Sequence, residues 1–324
     1  MLSGIIVTAR AVCPDDLLRW RRGKYGCYQG ECFLKYLLLA MRPKQWTKNI
    51  FVFAPLVFDV KLGHFTYVMR TVAGFALLCL VSGAVYLLND LVDVEKDRLH
   101  PRKRQRPIAA GKLPLAVARV AVAAILLLGL PLGFLLDPLF GAILLLYLLL
   151  QVAYSFLLKN VVIVDVMVIA AGFVLRVASG IPLVDAVRFS PWMYICMGML
   201  ALFIGFNKRR HELVLLKEEA NAHREILEEY SLALLDQLIG IITAVTLAAY
   251  ALYTFSAPNV PDNHAMMLTL PFILYAFFRY LYLVQVKGMG GEPEEIVLRD
   301  RPLQAAVLLW GATVVLIMYF FGSA

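Results

Sequence analysis

The chain has 324 residues, 61% of them aliphatic, aromatic, Met or Cys and only 17% charged. Soluble domains run at roughly 45–50% apolar, so this composition excludes an ordinary soluble globule, and the low charge excludes a disordered or fibrous chain. A net charge of +8, from 31 Lys and Arg against 23 Asp and Glu, would suggest nucleic acid for a soluble protein. Here the basic residues cluster in a few loops between apolar runs, which points to membrane topology and an anionic ligand, with no nucleic acid partner.

Residues 1–40 read as an N-terminal cytoplasmic or interfacial extension. Leu17, Leu18 and Trp20 beside Arg19, Arg21 and Arg22 form an amphipathic stretch suited to lying on a membrane surface. Residues 1–33 carry no clear apolar leader core and so read as lacking a cleavable signal. The five cysteines (Cys13, Cys27, Cys32, Cys79 and Cys196) include no CxxC pair and are expected to be free thiols.

Residues 41–324 then carry nine apolar runs, near 49–62, 68–89, 113–135, 138–157, 161–180, 190–206, 232–256, 265–286 and 302–321. Most are close to the length of a membrane span and several are near its short limit, and the expected fold is all-α, a polytopic bundle of nine transmembrane helices. The connection after the second run carries Lys96, Arg98, Arg102, Lys103, Arg104, Arg106 and Lys112, and the one after the sixth carries Lys208, Arg209, Arg210, Lys217 and Arg224. The alternate connections hold only Lys61 and Arg188, which places the N-terminus and both large polar loops in the cytoplasm by the positive-inside rule. The expected location is the inner or plasma membrane of the cell.

The second run ends in Asn89-Asp90-Leu91-Val92-Asp93-Val94-Glu95-Lys96-Asp97. At about 100° per residue, positions 89, 90, 93 and 97 share a little over a quarter of a helix circumference. Carboxylates beside a bilayer need a function or a counter-charge. Hard oxygen donors in this pattern suit Mg²⁺, which takes one or two carboxylates plus substrate phosphates. The plainer alternative is a solvated helix end paired with the arginines that follow. Those lie in the loop His100-Pro101-Arg102-Lys103-Arg104-Gln105-Arg106-Pro107, where cations could clamp phosphate oxygens or could simply set topology.

Asn89 to Asp97 matches the NDxxDxxxD motif and resembles the UbiA prenyltransferase superfamily, intramembrane enzymes with nine transmembrane helices. Together with Arg42-Pro43-Lys44-Gln45-Trp46-Thr47-Lys48-Asn49 upstream and Tyr86 before the motif, it is similar to one branch, the polyprenyl-phosphate phosphoribosyltransferases. The resemblance implies Mg²⁺ held by Asn89, Asp93 and Asp97, with Asp90, Asp93 and Asp97 as the catalytic carboxylates. It implies phosphoribosyl diphosphate and a polyprenyl phosphate as substrates, membrane lipids as surroundings, and it allows a homo-oligomer, a trimer in some members. Lys44, Lys48, Tyr86, Lys103 and Arg106 are the candidate substrate contacts on this half.

The superfamily's second acidic motif is absent: positions 207–212 read Asn207-Lys208-Arg209-Arg210-His211-Glu212. Lys208 and Glu212 share a helix face and could simply pair. Alternatively, the basic residues Lys208, Arg209 and Arg210 form a cationic patch for the 5-phosphate that a prenyl diphosphate lacks, and Lys208, Arg209 and Glu212 are the candidate substrate contacts on this half. Tyr154 and Lys159 resemble a YSxxLK element of the family, Lys159 within reach of the diphosphate; a snorkelling lysine is the bland reading. Arg176 lies inside an apolar run and needs a partner, and Asp165, about three turns away, does not supply one within the helix. Arg279, Arg299, Asp300 and Arg301 read as topogenic, and His64 and His264 lie in outer loops. Prenyl transfer to an aromatic or isoprenoid-alcohol acceptor is the neighbouring alternative. Anion transport is the more distant one, disfavoured because the charges gather at one end instead of the bilayer midplane.

Overall fold

The computed structural model describes residues 29–320 apart from 102, 187–189, 219–226, 228, 259 and 290–292. The amphipathic stretch at 17–22, Cys13, Cys27, Arg102, Arg188 and Arg224 lie outside the described residues. Cys79 and Cys196 are buried free thiols.

The described residues form helices and no strand. In chain order these are α1 (Gln29–Ala40), a 3₁₀ segment (Pro43–Phe53), α2 (Ala54–Phe58), α3 (Phe65–Val92), α4 (Val94–Leu99), α5 (Leu115–Leu136) and α6 (Pro138–Phe156). There follow α7 (Val164–Leu183), α8 (Pro191–Glu218), α9 (Leu232–Ser256), α10 (Leu270–Gln285), α11 (Pro293–Arg299) and α12 (Arg301–Phe320). Side-chain oxygens start several of them. Asp137 accepts from the Leu139 and Phe140 amides to open α6, and Ser231 accepts from Leu234 to open α9.

Seven helices among the described residues are long and apolar enough to cross a membrane: α3, α5, α6, α7, α9, the Ala265–Gln285 stretch containing α10, and α12. The sequence-based count was nine. Where the first span was expected, near 49–62, the chain forms an 11-residue 3₁₀ run followed by a five-residue helix. Pro43 opens the 3₁₀ run and Pro55 the short helix, first-turn positions where a missing N–H costs least, and Asn49 is drawn into a tertiary contact described below. The expected sixth span is the front of α8, where Trp192, Tyr194, Asn207 and Lys208 dilute the apolar run.

The bundle is closed at both ends of α3. At its start, Arg70 meets Asp185 at 2.9 Å, Asp137 at 3.4 Å and the Pro182 carbonyl at 3.1 Å, tying α3 to the beginning of α6 and the end of α7. At its other end, Ala40, Met41, Leu87, Ile108, Leu113 and Ala118 form one buried cluster. Ile108 and Leu113 therefore nail the basic loop onto the end of α3, which keeps its cations beside the acidic motif. A second cluster from α7, α8, α9 and α10 includes Val166, Phe206, Tyr230, Leu235 and Phe277, and brings the start of α7 against the end of the apolar part of α8. The 3₁₀ segment touches α7 at Gly180, where a Cβ would stand 2.1 Å from the Val52 carbonyl oxygen.

Candidate active site

The acidic motif straddles a joint. Helix α3 ends at Val92, Asp93 adopts φ −91°, ψ 11°, and α4 resumes at Val94. The Asp93 amide still bonds the Asn89 carbonyl at 2.9 Å, and the Asp97 amide bonds that of Asp93 at 2.8 Å. Helical spacing thus survives the joint, and the shared face expected from a continuous helix is kept. Arg106 proves the convergence: one of its nitrogens, Nη1, lies 2.6 Å from Asp97 Oδ2 and 3.2 Å from Asp90 Oδ1.

Each carboxylate meets a cation from another part of the chain. Asp90, buried, also accepts from Arg42 Nη2 at 2.6 Å. The Arg42 guanidinium lies 4.9 Å above the Tyr86 ring, which accounts for an aromatic residue just ahead of the motif. Arg42 has φ 55°, ψ 66°, a left-handed conformation that a non-glycine residue adopts only when its surroundings enforce it. Asp93, with its side chain 30% exposed, is the most open of the three and stands 3.5 Å from Lys159 Nζ. Burial therefore separates Asp90 and Asp97, which are held by arginines, from Asp93, which faces outward.

A second network lies at the same end, where α7 begins and α8 leaves the apolar layer. Asp165, fully buried, accepts from Arg209 Nε at 2.8 Å and from the Tyr230 hydroxyl at 3.0 Å. Arg209, 5% exposed, extends Nη1 to Glu212 Oε2 at 2.5 Å. The Tyr230 hydroxyl also receives the Ile163 amide at 2.6 Å. Ile163 sits at φ 68°, a costly conformation for a β-branched residue, so Tyr230 pins the strained turn that leads from Lys159 to Asp165. Burial pushes the Tyr230 hydroxyl up to about 12, so at neutral pH it keeps its proton and donates it to Asp165. Tyr154, at the end of α6, lies near Arg209.

The remaining candidates occupy the same end of the bundle. Lys44, exposed, and Lys48, half-buried, sit on the 3₁₀ segment just past Arg42; Lys103 and Lys208 are half-buried on the basic loop and on α8. The Lys103 amide bonds His100 Nδ1 at 3.4 Å. Sequence reasoning had not assigned Arg42, Asp165 or Tyr230 to the site. Arg42 was visible as part of the upstream string, whereas the roles of Asp165 and Tyr230 depend on packing 44 and 65 residues apart.

Arg176, buried in α7, solves its problem without an acid. Its Nε donates to Asn49 Oδ1 at 2.8 Å, Nη1 to the Gly172 carbonyl at 2.9 Å and Nη2 to the Tyr147 hydroxyl at 2.8 Å. The rings of Tyr147 and Phe173 lie 4.8 and 5.2 Å from its guanidinium carbon. Neutral acceptors and ring faces thus carry the cation inside the apolar layer, and they bind α7 to α6 and to the 3₁₀ segment.

The chemistry of the acidic end suits a divalent ion that completes its shell with phosphate. Among the described residues no group of three or more His, Cys, Asp or Glu closes on a metal unaided. Magnesium rarely asks for such a cage; it uses one or two carboxylates and takes its other oxygens from substrate phosphate and water. Asp93, open and one turn from Asn89, fits that requirement, with Lys159 beside it and Arg106 on the neighbouring Asp97 for phosphate.

Residues 53–290 match the model of the UbiA prenyltransferase family. The chain is 34% identical over 279 residues to decaprenyl-phosphate phosphoribosyltransferase of Mycobacterium tuberculosis, a match covering 85% of this chain and 91% of that protein. The protein of the same name from Corynebacterium glutamicum is 32% identical over 291 residues, covering 87% of this chain and 86% of the relative. Among solved structures, a UbiA homolog from Archaeoglobus fulgidus bound to DMAPP and Mg²⁺ superposes with a TM-score of 0.65 at 17% identity, covering 87% of this chain and 98% of that one. That likeness concerns the fold. The matched family model and the length of the curated relatives covered carry the assignment: this all-helical, multi-pass membrane protein belongs to the UbiA prenyltransferase family.

Proposed function

We propose that the protein transfers a 5-phosphoribosyl group from phosphoribosyl diphosphate to a polyprenyl phosphate, with Mg²⁺ as cofactor and diphosphate as leaving group. The observation that carries the reading is the convergence of Asp90, Asp93 and Asp97 with Arg42, Arg106 and Lys159 at one end of α3. Acid ligands beside phosphate clamps suit a metal–diphosphate site, and relatives at 32–34% identity named decaprenyl-phosphate phosphoribosyltransferase support a phosphoribosyl donor and a polyprenyl-phosphate acceptor. The positive-inside distribution supports a cytoplasmic position for this end. Counting the 3₁₀–α2 segment and α8 with the seven apolar helices gives nine membrane elements.

Asn89 and Asp93 would hold the ion, with Asp90 or Asp97 in support; bound there, Mg²⁺ supplies neutralising charge to the diphosphate. Lys44, Lys48, Lys103, Arg106 and Lys159 are the cations for its oxygens, and they favour its departure because charge develops there as the C1–O bond breaks. Arg106 can serve both states, since the hand that rests on Asp97 can pass to a phosphate. Tyr86 steadies Arg42 and Tyr154 flanks Arg209. On the second half Lys208 would receive the 5-phosphate, while Arg209, held by Asp165 and Glu212, shapes that corner. An oxygen of the lipid phosphate attacks C1 as the diphosphate leaves with the bonding electron pair. A phosphate monoester has a second pKa near about 6, so the nucleophile is already anionic at pH 7 and no general base is required.

The test is diphosphate release by the detergent-purified protein with phosphoribosyl diphosphate. Release that requires both a long-chain polyprenyl phosphate and Mg²⁺ is expected. Absence of release, with turnover of a prenyl diphosphate and an aromatic acceptor instead, overturns the reading.

A further inference from the structure

The connection between α6 and α7 carries a cation to Asp93, and its backbone is strained. Lys159 lies in the short 3₁₀ turn Leu158–Asn160, with Nζ 3.5 Å from Asp93 Oδ1. A few residues on, the Val164 amide bonds the Val162 carbonyl at 2.7 Å across Ile163, whose φ is 68° and ψ −46°. That is a γ-turn of the rare, strained hand, taken by a β-branched residue. The Ile163 amide is left outside the turn and donates to the Tyr230 hydroxyl at 2.6 Å. The same hydroxyl donates to Asp165, in the first turn of α7, at 3.0 Å. Tyr230 itself is buried, and its ring packs in the cluster of Val166, Phe206 and Leu235, so its anchorage does not depend on the turn that it holds.

A backbone conformation this costly persists only where its surroundings hold it. One oxygen does so here, bridging the Ile163 amide and the Asp165 carboxylate. Without it, Ile163 is free to return to negative φ, which swings the segment ahead of it, Lys159 included, relative to α7. We propose that Tyr230 is a positioning residue of the diphosphate site: its hydroxyl holds the Ile163 turn, and the turn sets Lys159 beside Asp93 to meet the diphosphate of the donor. Tyr230 comes from the connection ahead of α9, so the second polar connection of the chain governs a cation that serves the first acidic motif. This inference rests on the metal–diphosphate reading of the acidic end, and it applies to a phosphoribosyl and a prenyl donor alike.

The experiment measures binding of inorganic diphosphate with Mg²⁺ to the detergent-purified full chain by calorimetry, in the wild type, Tyr230→Phe, Lys159→Met and the double variant. Tyr230→Phe removes one oxygen and leaves the ring in its cluster, and a dissociation constant does not depend on the fraction of protein that is folded. A charge-assisted hydrogen bond predicts that Lys159→Met weakens binding by on the order of 10- to 100-fold. Tyr230→Phe should weaken it by about 5- to 20-fold, most of the same loss. In the Lys159→Met background Tyr230→Phe should change the constant by less than about twofold, because an absent cation cannot be misplaced. A purely structural role would not produce this dependence on Lys159. Equal factors in the two backgrounds, no effect of Tyr230→Phe on the wild type, or no effect of Lys159→Met would each overturn the assignment of Tyr230. A wild type that binds no diphosphate with Mg²⁺ would instead overturn the metal–diphosphate reading itself, and the inference with it.

Discussion

Replacing Arg106 by Gln should destabilise the protein and make its stability depend on divalent cation. One nitrogen of Arg106 touches Asp97 at 2.6 Å and Asp90 at 3.2 Å, and both carboxylates are almost fully shielded, at 3% and 2% side-chain exposure. Two unit charges about 4 Å apart attract by ~4 kcal/mol at an effective dielectric near 20. Breaking a buried pair from one side costs about 3–5 kcal/mol, since the partner is left uncompensated. Two features of the site reduce this. Arg106 is itself 28% exposed, and Asp90 keeps Arg42. A net loss of about 2–3 kcal/mol follows, which in a chain of this size lowers Tm by roughly 5 °C. Added Mg²⁺ should raise the variant's Tm more than the wild type's, because the acid cluster then lacks its resident cation and binding stabilises the folded state by mass action. Thermal unfolding in detergent, with and without millimolar MgCl₂, reads both effects, and Arg106→Lys should fall between. A variant within 1 °C of wild type and equally indifferent to Mg²⁺ would refute the argument that Arg106 neutralises this cluster.

Three further outcomes follow from particular contacts. Gly180→Ala places a methyl 2.1 Å from the Val52 carbonyl oxygen, so the 3₁₀ segment must move off α7; overpacking of this kind costs about 1–3 kcal/mol and should appear as a lower Tm. Asp300 accepts from both Arg279 Nε (3.1 Å) and Nη2 (2.8 Å), and that pairing holds its carboxyl below the usual carboxylate range. A depressed carboxylate stabilises the fold above its unfolded pKa and loses that contribution as pH falls through the folded value. Asp300→Asn, which can still cap the Leu303 amide, should therefore lower Tm by a constant amount from pH 8 to 5, and the gap should close below about pH 4. Asp93→Asn, at the most exposed of the three acids, should leave Tm nearly unchanged while reducing diphosphate release by on the order of 100-fold or more; retained activity would remove Asp93 from the metal site.

What could be read from the sequence was what helical spacing and local composition encode. Positions 89, 90, 93 and 97 lie on one face by arithmetic alone, and the structure keeps that face across the joint at Asp93. The apolar runs from 68 onward correspond to helices within a few residues at most boundaries, because apolar length marks a membrane helix directly. Contacts between distant segments were out of reach. Arg42 finds Asp90 across 48 residues, Arg209 finds Asp165 across 44, and Arg176 finds Asn49 across 127. No periodicity carries such information. For Glu212 the spacing pointed to Lys208 one turn away, and the structure adds Arg209 at 2.5 Å, three positions away and an equally good helical neighbour. The first apolar run shows a different limit: hydropathy marks where the segment lies but not that it forms a 3₁₀ run and a five-residue helix in place of one continuous α-helix.

The most direct test of the central claim is the identity of the product. Purified protein given phosphoribosyl diphosphate, polyprenyl phosphate and Mg²⁺ should yield a lipid that has gained one phosphoribosyl unit by mass spectrometry, and Asp93→Asn should yield none under the same conditions. A lipid of unchanged mass alongside an active prenyl-transfer reaction would contradict the account.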